Sequence, residues 1–574
     1  MHKKIHIVFL FLILMSAGLF AKTGLLVRLY IDDKEEKPHS LKSILELNSW
    51  LDNYRQNLLD KGYWEASVDS QHCSPDTCIV FLHKGKKYSL QNPGKSKHKK
   101  AGDPSNLSAV QGVPEQIVNE LENKGYPFAR VNIDSLQLNN DSLSYHYKVD
   151  TGKLITIDSF VNHGNSKISR SFVQNYIGIR PGSAYSESKI REIDKQLAKL
   201  PYVNMREGTT IIFRDDKADL HFALDKRKVN SFDFLVGFLP NNNNTGKILI
   251  TGEARIHLQN AFKRGEEIFL EWVKLQRNSQ RLNLRFAYPF LLNTPLGIST
   301  SFDLDKRDST SLDLNFQLGL PYVVKTNNYV KGFFKYMQTI VLVADTNFVK
   351  FYKKLPNNLD AVYNQYGIEG YYENLDYLFN PRKGFDVKLS GSIGTKKIKE
   401  NNQITNLTDP FLADYDYGSL YDSIRRKSLK ADIFWGVNYY LPMGKRHVLK
   451  LANSGGAVFN QDLLRNELLR IGGAKLLRGF DDISILCSTY VLSTLEYRFL
   501  LQRNSYFSAF VDWAYVDRKF DQTHFHDFPV GFGAGINLES KIGIFGLTYA
   551  LGRQKDQPVN FRNSKLHFGY VALF

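Results

Sequence analysis

The sequence predicts a mainly β protein with α+β modules: an about 16-stranded transmembrane antiparallel β-barrel preceded by tandem small modules. Three observations carry this. An apolar leader with basic flanks opens the chain. Residues 229–574 alternate apolar and polar side chains at period two. Residues 22–228 instead repeat a helix, a tyrosine-bearing turn and two strands. Composition agrees: 39 Phe, 31 Tyr and 5 Trp stand beside 40 Gly and only 5 Met in 574 residues, a mix suited to strands and tight turns. With 43% hydrophobic and 23% charged residues, neither a disordered chain nor a helical membrane bundle fits. The formal net charge of +17 suits nucleic acid or an anionic membrane surface. Export selects the membrane, so no nucleic-acid partner is expected.

The leader comes first in the chain. Lys3 and Lys4 precede an apolar run over residues 7–15, and small residues lead to a cleavage point after Ala21. That is the pattern of a secretory signal peptide over residues 1–21; the competing reading is an uncleaved anchor helix. No later stretch reaches the roughly 18 apolar residues of a spanning helix. The exported chain is therefore soluble, or it crosses a membrane with strands. Cys73 and Cys78 lie five residues apart and meet an oxidising compartment. A local disulfide is favoured over a metal site, because no His or Cys group completes a ligand set. Cys487 is left over.

Residues 22–88, 89–153 and 154–228 read as three modules. Residues 41–60 space apolar groups at helical period, and Lys61-Gly62-Tyr63 ends the helix, with glycine at the expected stop. A strand begins at Glu65. The pattern returns with a helix over 114–123, then Lys124-Gly125-Tyr126, then a strand over 129–133. A weaker third copy has a helix over 187–200, Pro201-Tyr202-Val203, and a strand over 208–213. A unit recurring every 60–75 residues or so sets the architecture of the whole segment.

In residues 311–320, Leu312, Leu314, Phe316, Leu318 and Leu320 share one face; Ser311, Asp313, Asn315 and Gln317 share the other. Residues 248–259, 281–288 and 429–439 repeat the scheme. A soluble sandwich also alternates. Many long strands with aromatic ends in an exported chain describe instead a barrel with its apolar face outward. Strands of about 10 residues with connections of about 12 give about 16 of them in residues 229–574. The last strand, 565–574, alternates to a terminal Phe574. Parity then places Leu495, Tyr497, Val511, Trp513 and Tyr515 toward lipid, and Glu496, Arg498 and Asp512 toward the lumen.

These motifs together are similar to the BamA/TamA/FhaC outer-membrane insertase superfamily. Val149-Asp150-Thr151-Gly152-Lys153 resembles a junction between two POTRA domains, the periplasmic β-α-α-β-β modules of that family. Arg470-Ile471-Gly472-Gly473, followed by Arg478-Gly479-Phe480, resembles its inward-folded loop. Leu495-Glu496-Tyr497-Arg498 and Phe510-Val511-Asp512 resemble two lumen-lining strands, and Asn380-Pro381-Arg382-Lys383-Gly384 an earlier turn. Three modules and this length look most like TamA.

The resemblance implies a site and a function. Gly472, Gly473, Arg478, Gly479 and Phe480 form the loop motif, and Arg478 pairs with Glu496 and Asp512; residue chemistry alone leaves Arg478 open as a solvated loop charge. A seam lies between the first strand, carrying Phe232, Phe234 and Val236, and the last, carrying Phe568, Tyr570 and Phe574. The chain resides in the bacterial outer membrane with its modules in the periplasm, in contact with outer-membrane lipid. It inserts unfolded outer-membrane clients, β-barrel or autotransporter-type, through the seam, after the modules receive them. An inner-membrane-anchored TamB-like protein is an expected partner. The alternatives are a secretion pore for one dedicated exoprotein and a passive porin. No phosphate-binding loop, His-Glu-x-x-His or Gly-x-Ser-x-Gly occurs, so no enzyme, cofactor or metal is expected. His524 and His526 fall in a loop on this reading.

Overall fold

The structure is a computed structural model. It describes residues 25–572 except 92–106, 140–141, 240–248, 277–278, 308–309, 378–379, 410–413, 475, 482–483, 521–522, 541–542 and 556. The signal peptide and Phe574 lie outside the described residues. The chain divides into two compact units. The first holds residues 1–157 with 182–190 and 213–218; the second holds 158–181, 191–212 and 219–574.

The second unit is dominated by one antiparallel sheet of 17 strands, from Ser231–Leu239 to Lys565–Ala572. Two of these are one strand interrupted. Thr523–Asp527 and Val530–Ser540 both pair with Tyr506–Phe520, and Val516↔Asp527 and Trp513↔Val530 keep one continuous register across Phe528-Pro529. The sheet thus has 16 strand positions. The interruption also moves His524 and His526 off a loop: they sit on the extended continuation of the strand, where His524 Nε2 meets the Asp517 carboxylate.

Strand parity follows from period-two side chains. Within Tyr506–Phe520, Val511, Trp513 and Tyr515 are 39%, 45% and 38% exposed, whereas Asp512 between them is 0% exposed. The apolar face turns outward and the charged face inward, the reverse of a soluble sheet and the arrangement lipid demands. The long connections 342–360, 399–426 and 460–488 all fall at one end. At that end Val349, Leu359, Ile404, Tyr417, Tyr421 and their neighbours bury an apolar cluster of their own. Connections at the other end are shorter, down to the two residues Thr326-Asn327 between Ser311–Lys325 and Asn328–Val341.

Three small sheets precede the large one, and they share a strand order. Leu25–Ile31 pairs in parallel with Thr77–His83, which pairs with Ser67–Cys73. Ser89–Gln91 pairs in parallel with Ser142–Asp150, which pairs with Arg130–Asn139. The third sheet has Lys217–Lys226 between Val203–Arg214 and Thr156–Asn162. Between its first two strands the third copy carries two helices, Arg170–Ile177 and Glu187–Leu197. The first copy has one, Ile44–Asp60, and puts the short strands Lys34–Glu35 and His39–Leu41 where the other helix would be. In the second copy the helix runs Leu107–Glu122, starting earlier than proline's preference for a first turn suggests and keeping Pro114 inside it.

The two Lys-Gly-Tyr turns are the same object twice. Tyr63 N–H donates to the Leu58 carbonyl and Tyr126 N–H to Leu121, each at 3.0 Å. Gly62 and Gly125 adopt φ of +93° and +106°, which favours glycine. Each glycine carbonyl then accepts from the residue just before the first strand of the next sheet: Tyr88 N–H on Gly62 and Ile155 N–H on Gly125, both at 2.8 Å. A side chain at Gly62 would press its Cβ to 2.5 Å from the Tyr88 carbonyl oxygen.

Candidate functional site: the inward loop and its wall

Residues 460–488 join the strands His447–Phe459 and Thr489–Leu500. The segment holds a short hairpin, Leu469–Ile471 against Ile485–Cys487. Gly472 and Gly473, at φ +118° and +92°, turn the chain out of that hairpin, and Gly479, at +92°, turns it at the tip. All three lie where a Cβ is disfavoured. Leu477 and Phe480 are buried with Ile471 and Cys487 against Tyr490, Leu492, Ala514 and Val516. The loop is therefore anchored by an apolar contact on the inner wall.

Arg478 lies beside this contact. Its Nε and Nη2 donate to the two oxygens of Asp512, both at 2.7 Å, and its backbone N–H adds a third bond to the same carboxylate at 3.2 Å. Nη1 donates to Glu496 Oε2 at 2.6 Å. The guanidinium carbon sits 3.4 Å from the centre of the Phe510 ring. Thr494 Oγ1 donates to Asp512 at 2.8 Å and completes the acid's shell. Neighbouring strands supply these groups in register, Thr494↔Asp512 and Glu496↔Phe510. Such a set requires arginine: a planar fork takes a carboxylate with two parallel bonds and still stacks on a ring. Asp512 is buried, so removing Arg478 leaves its charge without its cation, at a cost of about 3–5 kcal/mol, and takes one of the partners of Glu496.

The structure brings together every loop and wall residue that the sequence nominated, and it adds two glycines. A Cβ on Gly531 would overlap the Arg478 carbonyl, and one on Gly552 would meet the Gly479 carbonyl oxygen at 2.5 Å. The wall is bare where the loop tip lies. The signal was present as Gly531, Gly533 and Gly535 on one face of a strand, but alternating glycine also marks ordinary barrel strands.

Elsewhere the lumen is a lattice of buried ions. Lys396 pairs with Glu467 at 2.5 Å, Lys430 with Glu467 at 3.6 Å, and Lys335 with Asp432 at 3.6 Å. A cavity of about 450 Å³ beside them is lined by Asp303, Asp313, Asn315 and Arg470 among others.

At the seam, Phe232 and Phe568 are exposed on the outer face. The side chains of Phe234, Val236 and Tyr570 lie outside the described residues, although their backbones pair with Ala254, Gly252 and Phe545. The first and last strands come within 8 Å of each other, yet among the described residues no hydrogen-bond ladder joins them. Cys73 and Cys78 face each other on a hairpin and are joined through their sulfurs; Cys487 is a free, buried thiol.

Residues 260–570 match the Omp85 superfamily domain. The chain belongs to the Omp85 superfamily. Among solved structures, CdiB from Escherichia coli is similar over 92% of this chain and 98% of its own, at 14% identity and a TM-score of 0.52, which reflects a shared fold. BamA from Haemophilus ducreyi lacking POTRA domains 1–3 matches over 84% of this chain and 98% of its own, at 16% identity and a TM-score of 0.44. CdiB from Acinetobacter baumannii matches over 81% and 86%, at 16% identity and a TM-score of 0.49. No curated protein matches the chain. As an Omp85 protein it is an outer-membrane β-barrel with POTRA-like modules ahead of the barrel.

Proposed function

We propose that this protein inserts client β-barrel or autotransporter-type polypeptides into the outer membrane through the seam between its first and last barrel strands, with three periplasmic modules (residues 22–88, 89–153 and 154–228) receiving them. One observation carries the reading: Arg478 holds an inward loop to Asp512 and Glu496 inside the barrel, while the two seam strands stand adjacent without a ladder among the described residues. Lipid offers no water to unpaired backbone groups, so an unladdered seam is a place where an incoming strand gains hydrogen bonds. A lumen occupied by a loop and by buried ion pairs disfavours a passive porin. No covalent step is needed. A TamA-like role, contact with outer-membrane lipid and an inner-membrane-anchored partner of the TamB kind belong to the same proposal.

The test is client folding in liposomes. Folded wild-type protein should accelerate protease protection of an unfolded outer-membrane barrel, and Arg478→Ala should lose that acceleration while keeping heat-dependent gel mobility. Solute flux without acceleration, even with a periplasm-spanning partner added, would instead indicate a secretion pore.

A further inference from the structure

The lock on the loop does not end at Glu496. Its other carboxylate oxygen, Oε1, accepts from Arg498 Nε at 2.7 Å. Arg498 Nη1 donates onward to Asn380 Oδ1 at 3.0 Å, and Asn380 Nδ2 donates to the Arg503 carbonyl at 3.0 Å. Asn380 and Arg498 are both almost wholly buried. Asn380 stands in the turn between the strands Ala361–Leu375 and Gly384–Ile398, and Arg503 in the turn after Thr489–Leu500. Both turns are at the end opposite the long loops. A polar chain thus runs from the loop tip through the wall to the tight-turn mouth.

Arg498 has more donors than Glu496 can satisfy, which is why the chain needs its far end. Arg478 takes the other oxygen of Glu496 and both oxygens of Asp512. Neutral acceptors and rings complete the surroundings of Arg498. Asn380 Oδ1 takes one guanidinium bond, and the Arg498 guanidinium carbon lies 4.9 Å from the Tyr506 ring centre and 5.5 Å from that of Tyr440. Without Arg498, Glu496 is free to swing from Arg478. Without Asn380, Arg498 loses a buried partner.

We infer that Arg498 and Asn380 are positioning residues of the loop lock: they hold Glu496 in place for Arg478 and tie loop docking to the turn at the opposite mouth. This rests on the reading that Arg478 holds the loop in its working position. Neither residue is required to touch the client.

Cys487 supplies a native reporter, because it is buried in the docked loop's own contact and the other two cysteines of the sequence, Cys73 and Cys78, are bonded to each other. The measurement is the alkylation rate of Cys487 by a bulky maleimide in liposome-inserted full-length protein, scored only on heat-modifiable, folded molecules. Arg498→Met and Asn380→Leu should each raise the rate about 10- to 100-fold, as loss of a hydrogen bond to a charged group predicts. Asn380→Asp keeps the acceptor for Arg498 but loses the donor to the Arg503 carbonyl, so it should raise the rate less than Asn380→Leu. Arg478→Ala is the control. If it raises the rate while Arg498→Met and Asn380→Leu do not, the inference is overturned and the lock stands. If Arg478→Ala itself leaves the rate unchanged, the lock reading fails instead.

Discussion

Arg478 is held by shape as much as by charge. A lysine keeps the charge but cannot span both oxygens of Asp512, reach Glu496 and lie flat on Phe510 at once. Arg478→Lys should therefore lower loop-docking stability by about 1.5–3 kcal/mol. It would appear as a lower temperature for conversion from the folded to the unfolded gel band, with a smaller drop than in Arg478→Ala. Cys487 carries a second prediction at this scale. It lies in the loop hairpin, outside the barrel sheet, and burial pushes its thiol up to about 12, with Asp517 adding to the effect. An ordinary thiol levels off in reactivity above about pH 8.5. The folded protein should instead show Cys487 alkylation still rising about tenfold per pH unit between pH 8 and 10. The sign for stability follows. The folded state holds this proton longer than the unfolded one, so the contribution is full below about pH 8.5 and declines as pH rises toward 12.

Among elements, the strand Val530–Ser540 does more than close the wall. Its lumen-facing Gly531 pairs with Asp512 across the ladder and lies against the Arg478 carbonyl. Gly531→Val should unseat the loop tip without breaking the barrel, because valine suits a strand. The expected result is normal heat-modifiable mobility with protease cleavage inside residues 460–488. Intact protection would mean that the loop tip does not need this bare wall. The Lys-Gly-Tyr turns are the matching element in the first unit. Gly62→Val meets both a positive φ and the Tyr88 carbonyl, and should cost more than about 1 kcal/mol. Its readout is faster protease cleavage between residues 83 and 92 in the folded protein.

For the whole molecule, the lumen decides between transport readings. Loop, apolar anchor and ion lattice together occupy it, and the long connections bury a cluster of their own at one end. Planar-bilayer recordings should show wild-type protein mostly closed, with conductance rising in Arg478→Ala. A steady wild-type conductance of porin size would contradict the insertion reading.

The class of the protein and much of its site are legible in the order of its amino acids. Period-two alternation fixes which residues face lipid, because a one-residue slip would bury charge in hydrocarbon, and that alternation alone turns Glu496 and Asp512 inward. The repeated Lys-Gly-Tyr marks the modules because a positive-φ stop leaves a readable glycine. Other features exist only once distant parts of the chain meet. Gly531 is bare because a loop tip more than 50 residues away lies on it, and Asn380 meets Arg498 across 118 residues of sequence. A run such as Asp-Phe-Pro is a turn by local propensity, yet the register of the neighbouring strand carries the chain straight through it. Local patterns record which way a side chain must point; which partner it finds there is set by the closing of the sheet and the folding of the loop into it.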